Sequence, residues 1–215
     1  MNTSDSNVYV VDDDPPVLQA VSRLLRSAGF QVFGYSSARR FLDRHDSTAP
    51  GCLVLDMAMP GLNGLDVQQT LLAAQESLPI IFLSGRADVP ATVRAMKQGA
   101  ADFLTKPFEK DELVQAVRAA LAKDRVARQA NEEVAEIRRR LATLTPREHE
   151  VLRHVISGSL NKQTAVDIGA AEKTIKVHRA RVMNKMQVES VAELVRLAER
   201  AEIAPATPKS AIPTA

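Results

Sequence analysis

At 215 residues, with 45% hydrophobic and 25% charged side chains, the chain has the composition of an ordinary globular protein, longer than one average domain and short for three. No apolar run approaches the ~20 residues that cross a bilayer, and the single cysteine, Cys52, excludes an intramolecular disulfide and a cysteine-based zinc site. The net charge of +2 hides a split, with residues 1–121 carrying a net −3 and residues 122–215 a net +5, so an acidic half is joined to a basic half suited to a polyanion.

The opening stretch Met1–Asn7 is polar, with neither a basic nor an apolar region. It is read as no signal peptide, and a cytoplasmic location is the expectation. From there short apolar runs alternate with amphipathic segments. Val8–Val11 is a strand that stops at Asp12, and Pro16–Ala28 follows with Val17, Leu18, Val21, Leu24 and Leu25 at helical spacing. Gln31–Tyr35 is a second strand and Ser37–Arg44 a short helix. Cys52–Asp56 is a third strand, again ending on a carboxylate, with Cys52 a small buried hydrophobe within it. After a Pro-Gly loop, Leu65–Gln75 is helical, Pro79–Ser84 a strand, Val89–Gln98 a helix and Ala101–Thr105 the fifth strand. Pro107 breaks the run, and the chain is helical from Lys110 onward. Five βα units in series predict an α/β fold, a doubly wound five-stranded parallel sheet. The non-alternating Leu53–Leu55 and Ile80–Leu83 fit strands buried on both faces.

Residues 122–143 contain no Gly or Pro and are dense in charge. Ala127, Ala130, Val134, Ile137, Leu141 and Leu144 recur at spacings of three and four, a heptad seam. Two readings stand: a solvated helical linker, or a short parallel coiled coil in a dimer. Residues 144–201 read as an all-helical domain in four pieces. Thr145, Pro146 and Glu148 form a capping box that opens Pro146–Ser157. Asn161–Ile168 is stopped by Gly169, a basic helix runs to Met186, and Ser190–Ala201 closes the domain. Residues 202–215, rich in Ala, Pro and Thr, are expected to be a disordered tail.

Asp12, Asp13 and Asp56 all stand at carboxyl ends of strands, where open α/β sheets bind ligands. In the flavodoxin-like strand order 2-1-3-4-5 the first and third strands are neighbours, so the three carboxylates meet in one pocket. They would repel one another unless a cation sat among them, and an all-oxygen set suits a hard divalent ion, Mg²⁺ or Mn²⁺. Ser84 and Lys106 end strands four and five at the same edge. A cation, a hydroxyl and an ammonium around one carboxylate make a phosphoryl-transfer site with Asp56 as nucleophile. Asp14, before Pro15-Pro16, is read as a loop or cap residue instead of a ligand.

The motifs Val11-Asp12-Asp13, Leu55-Asp56-Met57-Ala58-Met59-Pro60-Gly61, Leu83-Ser84-Gly85 and Thr105-Lys106-Pro107-Phe108 resemble the receiver domain of two-component response regulators, over about residues 7–121. The resemblance implies Asp56 as phospho-acceptor and metal ligand, Asp12 and Asp13 as further ligands, and a backbone carbonyl at Met57 or Ala58 completing the set. It implies a cis Lys106-Pro107 peptide. It also implies a switch in which Ser84 moves toward the phosphoryl group and Phe103 turns inward, remodelling the surface from Val89 to Thr105, a candidate dimer face. Plain core packing is the other reading of Phe103.

Lys173, Lys176, His178, Arg179, Arg181 and Lys185 crowd one helix that follows a short helix and a turn, the layout of a helix-turn-helix whose second helix enters the major groove. Ile175, Val182 and Met186 can face its core while Lys173, Lys176, Val177, Ala180 and Arg181 face outward. Leu144–Glu148, Gly158, Asn161-Lys162 and Glu172–Arg179 resemble a LuxR-type helix-turn-helix over about residues 141–201, and with the receiver they resemble NarL/FixJ-type response regulators. The resemblance implies Lys176, Val177 and Ala180 near base edges, with Thr174, His178, Arg181, Lys162 and Lys185 near phosphates. Thr164 departs from the isoleucine usual there and is expected to soften the packing of the first of the two helices.

The expectation is therefore a DNA-binding transcriptional regulator with a receiver at 1–121, a linker at 122–143 and a helix-turn-helix domain at 144–201. It has no separate substrate and is not an enzyme. A sensor histidine kinase would phosphorylate Asp56, a homodimer would form and bind double-stranded DNA, and RNA polymerase is an expected partner, with no membrane involved. The alternative is a phosphorylation-independent regulator, constitutively dimeric through its linker.

Overall fold

The structure is a computed structural model that describes residues 6–85 and 89–207. In chain order its elements are β1 (Asn7–Val11), α1 (Pro15–Ser27), β2 (Gln31–Tyr35), α2 (Ala38–Arg44), β3 (Gly51–Asp56), α3 (Gly64–Ala73), β4 (Ile80–Ser84), α4 (Val89–Lys97), β5 (Asp102–Thr105), α5 (Lys110–Ala142), α6 (Pro146–Ile156), α7 (Asn161–Ile168), α8 (Glu172–Met186) and α9 (Val191–Arg200). The chain forms two compact units, Met1–Gln129 and Ala130–Ala215. Residues 122–129 of α5 thus belong to the first unit and its last turns to the second, so the stretch expected as a separate linker is shared out between the two.

In the first unit the five strands lie in the order β2-β1-β3-β4-β5, every neighbouring pair parallel, as the βα alternation predicts. Alternate residues serve opposite faces. Val8, Val10, Cys52, Val54, Ile81 and Leu83 pack against α1 and α5 through Leu25, Leu113 and Val117. Tyr9, Val11, Leu53, Leu55 and Phe82 pack against α2, α3 and α4 through Phe41, Val67 and Ala95. Both faces are covered, which is why the strands show no polar alternation. Burial, together with the charge of Asp124, pushes the Cys52 thiol far above its usual range, so it behaves as a hydrophobe.

Helix α3 starts at Gly64, directly after the β3 loop. A Cβ on this residue would stand 2.8 Å from the Asp56 carbonyl oxygen, 2.9 Å from Phe82 Cε1 and 3.1 Å from Met57 Cα. Only glycine lets the helix approach so closely. Asn63 caps it, accepting from Asp66 N while the Asp66 carboxylate accepts from Asn63 N.

In the second unit the Thr145–Glu148 capping box is present, with Thr145 Oγ1 accepting from Glu148 N at 3.3 Å and Glu148 Oε2 accepting from Thr145 N at 2.9 Å. Gly169 ends α7 in the left-handed conformation at φ 65°, a geometry glycine adopts without a side-chain clash. The core gathers Val151, Leu152, Ala165, Ile175, Val182, Met186 and Leu194, and Ile137, Leu141 and Leu144 pack into it. Half of the heptad seam is therefore spent inside this chain's own domain. Thr164 is buried, yet its hydroxyl donates to the Leu160 carbonyl at 3.1 Å, so the departure from isoleucine leaves no orphaned polar group.

The expected tail is fastened in its first part. Ile203 joins the core, Arg153 Nε donates to Ala204 O at 3.1 Å, and Ala206 N donates to Arg153 O at 2.9 Å. Residues 208–215 of that expectation lie outside the described residues.

Glu148 is 2% exposed and receives Lys185 Nζ at 2.7 Å. That bond, with help from the Thr145 N–H, holds its carboxyl at about 2, below an ordinary 4.5. A lowered folded-state value means stability that is complete above about pH 4.5 and lost as the pH falls toward 2. Glu148→Gln is expected to cost the second unit about 1–3 kcal/mol at neutral pH and to flatten that acid-side loss, measured by hydrogen exchange of α6 and α8 amides across pH. Gly64→Ala is expected to destabilise the first unit by about 1–3 kcal/mol through overpacking, read by urea denaturation; an unchanged midpoint would show that α3 can retreat without cost.

Candidate functional site

The parallel sheet carries its chemistry along one edge. Val11 of β1 is in register with Leu55 of β3, so the residues that follow, Asp12 and Asp56, stand side by side. Ser84 ends β4 opposite Thr105 of β5, and the next residue, Lys106, donates its backbone N–H to Ser84 O at 2.7 Å. The Lys106 side chain then reaches back across the edge. Its Nζ lies 2.7 Å from Asp12 Oδ2 and 2.6 Å from Asp56 Oδ1.

Asp12 is 2% and Asp56 7% exposed. Two carboxylates so buried are tolerable only when charge-compensated and hydrogen-bonded, and both conditions hold. Asp12 Oδ1 accepts from Asp14 N at 2.9 Å, Asp56 Oδ2 accepts from Ala58 N at 2.8 Å, and one ammonium serves both. Burial alone would lower the Lys106 pKa, but the bonds and charges of Asp12 and Asp56 outweigh it and raise the value above normal. One ammonium is thus shared by both carboxylates.

The expected ligands are unequally gathered. Asp12 and Asp56 converge on Lys106, whereas Asp13 is exposed, and among the described residues no three Asp, Glu, His or Cys side chains stand close enough to hold a metal ion. Of the two carbonyl candidates, Met57 O accepts from Gly64 N at 3.1 Å. Asp14 takes the N-cap position of α1 without a side-chain cap bond. Ser84 is buried at the end of β4. Phe103 is half-buried, its ring 6.5 Å from that of Phe82. The Lys106-Pro107 peptide is cis. On α4, Val89, Val93 and Met96 are exposed.

In the second unit α7, the Gly169 turn and α8 form a helix-turn-helix, with Ile175, Val182 and Met186 buried as expected. Lys162, Lys173, Thr174, Lys176, Val177, Ala180 and Arg181 are exposed. Lys176 pairs only with Glu172 one turn before it, at 3.2 Å on an exposed face, a contact of little worth. Two of the expected phosphate contacts have partners or surroundings within the domain. Lys185 is turned inward, binding Glu148 and, at 2.8 Å, Thr143 O, because it sits on the last turn of α8 against the start of α6. His178 is half-buried and its Nδ1 faces the domain interior without a hydrogen-bond partner. Sequence reasoning missed Gly64 and the Met57 carbonyl contact, since both depend on how α3 docks.

Residues 8–118 match the response regulator receiver domain family, and residues 142–198 match the luxR family of bacterial regulatory proteins. The chain is 46% identical over 200 residues to the response regulator protein TmoT of Ectopseudomonas mendocina, covering 93% of this chain and 91% of TmoT. It is 42% identical to the transcriptional regulatory protein FixJ of Bradyrhizobium diazoefficiens, covering 93% and 97%. Among solved structures, the response regulator StyR aligns with a TM-score of 0.83 at 44% identity, covering 91% of this chain and 99% of StyR. Full-length FixJ from B. japonicum aligns with a TM-score of 0.57 at 41% identity, covering 93% and 98%. With a parallel sheet presenting Asp12, Asp56, Ser84 and Lys106 on one edge, and a basic helix-turn-helix following it, the chain belongs to the NarL/FixJ-type two-component response regulators, a receiver domain joined to a LuxR-type DNA-binding domain.

Proposed function

We propose that Asp56 accepts a phosphoryl group from the phosphohistidine of a sensor kinase and that this controls DNA binding by α8. The observation that carries the reading is the Lys106 ammonium held within 2.7 Å of both the Asp12 and Asp56 carboxylates at the carboxyl edge of the sheet. An Asp56 carboxylate oxygen attacks phosphorus, the P–N bond breaks, and the kinase histidine departs with the bonding electron pair. Lys106, already at Asp56 Oδ1, neutralises charge on the transferred group. The Ala58 N–H holds the other carboxylate oxygen in place, and Ser84, whose backbone is tied to Lys106, is the hydroxyl poised to bind the phosphoryl oxygens.

The oxygen-only donor set, with two buried carboxylates that demand a cation, fits a hard divalent ion. Asp12, Asp13, Asp56 and the Ala58 carbonyl would hold Mg²⁺ or Mn²⁺, which when bound supplies further charge neutralisation for the phosphoryl oxygens.

The domain assignment that goes with this reading is a receiver over 1–121, a helical linker over 122–143 and a DNA-binding domain over 144–201. Movement of Ser84 and inward rotation of Phe103 form the switch, and the exposed Val89, Val93 and Met96 of α4 are the surface on which two activated receivers pair. A dimer presents two copies of α8 to a two-fold DNA site, making the second contact intramolecular. Lys176, Val177 and Ala180 face base edges, while Lys162, Lys173, Thr174 and Arg181 face phosphates. His178 reaches a phosphate only through the edge of its ring opposite Nδ1. Bound dimers then raise transcription by engaging RNA polymerase. A constitutive dimer held by the linker is disfavoured, because Ile137, Leu141 and Leu144 are already packed within one chain.

Sedimentation and DNA binding, with and without a small-molecule phosphodonor or beryllofluoride plus Mg²⁺, test the reading. Wild type is expected to dimerise and bind about tenfold or more tightly on activation, and Asp56→Asn to stay at the basal level. Equal binding by both proteins in every condition would remove Asp56 as the control point. Arg181→Ala is expected to weaken binding to all DNA sequences alike and to reduce the slope of log affinity against log salt by about one; a selective loss at one base position would instead make it a base-reading residue.

A further inference from the structure

The phosphorylation site occupies one end of β3, and a second buried charge cluster occupies the other. Asp124, on the part of α5 beyond the matched receiver region, is 1% exposed. Its Oδ2 accepts from Gly51 N, the first residue of β3, at 2.9 Å, and from Arg128 Nε at 2.9 Å. The Arg128 guanidinium spends its remaining nitrogens on the loop that leads into the same strand. Nη1 donates to Thr48 O at 2.7 Å, and Nη2 donates to Ala49 O at 2.7 Å and to Ser47 O at 3.4 Å.

The receiving loop is itself rigid. Asp46 Oδ1 accepts from Thr48 N, Thr48 Oγ1 and Ala49 N at 2.9, 2.6 and 3.3 Å, and Tyr9 Oη donates to the Asp46 carbonyl at 3.3 Å. Asn7 N donates to Pro50 O at 2.8 Å. Gly51 lies close against β1, for a Cβ there would stand 2.4 Å from Asn7 O.

Apolar burial does not hold this stretch of α5. Between residues 122 and 130 only Asp124 is buried and only Ala127 and Arg128 are half-buried, while Val126 is exposed. A charged helical extension with so little apolar contact is marginal by itself. Charge-assisted bonds from one carboxylate and one planar, five-donor guanidinium are what fasten it.

We infer that Asp124 and Arg128 form a clamp that fixes the exit of α5 to the base of the receiver, and that the effect of Asp56 phosphorylation on DNA binding depends on it. The inference rests on the proposed phosphorylation control. A helix can pass on a change in the receiver only if its own attachment to the receiver is stiff. Here the attachment is made to the strand whose far end bears Asp56. Asp124 and Arg128 are positioning residues: neither lies at the carboxylate edge, so they act on transmission and leave the chemistry of Asp56 alone.

The test uses the full chain with Arg128→Met, which keeps the aliphatic stem and removes every donor, and Arg128→Lys, which keeps the charge without the fork. Three quantities are read in each: the rate of Asp56 phosphorylation by a small-molecule phosphodonor, hydrogen exchange of the amides of residues 119–130, and the ratio of activated to basal DNA affinity. Arg128→Met is expected to phosphorylate at the wild-type rate and to exchange those amides about tenfold faster or more. Its affinity ratio is expected to fall to within about twofold of one, with Arg128→Lys between it and wild type. Unchanged exchange in both variants overturns the clamp. Faster exchange with a wild-type affinity ratio overturns its role in transmission. A wild-type protein with no response to the phosphodonor is the failure of phosphorylation control itself, and the exchange data still report on the clamp separately. If Arg128→Met does not fold, Arg128→Lys alone decides on the same two readouts.

Discussion

One ammonium between two buried carboxylates is the constraint on which the receiver depends. Removing Asp12 and Asp56 from water costs several kcal/mol for each ion unless a partner charge and hydrogen bonds replace the lost solvation. The partner, Lys106, is 94 residues from Asp12 and 50 from Asp56 in sequence. No local structure can bring the three together. Only a parallel sheet in which β1 and β3 are neighbours and β5 ends at the same edge does so, and parallel pairing in turn demands the crossover helices α1 to α4. The site and the topology are therefore linked: this strand order brings both buried carboxylates to the one lysine that compensates them.

That dependence explains why so much of this half was legible in the sequence. Apolar runs that stop on Asp12, Asp56, Ser84 and Lys106 mark both the strands and the edge, because in a doubly wound sheet the residue after the last buried position is where a ligand can reach. The helices were equally readable where a local rule sets their ends: Thr145 caps by a contact three residues away, and Gly169 stops α7 by its own backbone freedom. The less readable features are those in which one pattern serves two structures. A three-four spacing of Ile137, Leu141 and Leu144 suits a coiled coil between chains and a helix packed on its own domain equally well, since both ask only for an apolar stripe. Which surface covers the stripe is decided by α6, α8 and α9, and no property of α5 itself records it.

Lys185 carries the same lesson for charge. On α8 it reads as one more cation on a basic face, yet it lies on the helix's last turn, where the capping-box carboxylate of α6 is within reach. Glu148 thus does two jobs. It satisfies the backbone N–H of Thr145, the N-cap of α6, and it neutralises the end of α8, locking α8 to the helix that opens the domain. With Lys185 bound to Glu148, Lys162, Lys173, Lys176 and Arg181 are the exposed cations among the residues expected to meet DNA.

Two buried ion pairs differ from the sheet edge in how a cation is shared. Asp124–Arg128 and Glu148–Lys185 each join one carboxylate to one cation and to backbone groups; such arrangements fix geometry and resist change. At the sheet edge a single Lys106 is divided between two carboxylates, so each holds half of a cation's compensation. Converting the Asp56 carboxylate to an acyl phosphate would raise its negative charge and add acceptor oxygens, and the shared ammonium could no longer serve both partners equally. A donor from elsewhere would have to move in, and the proposed one is the Ser84 hydroxyl, on a residue attached through its carbonyl to Lys106. Under the proposed phosphorylation of Asp56, a site whose one cation is shared would answer the change of charge through Ser84 at the end of β4, a response that a carboxylate with a cation of its own would not need.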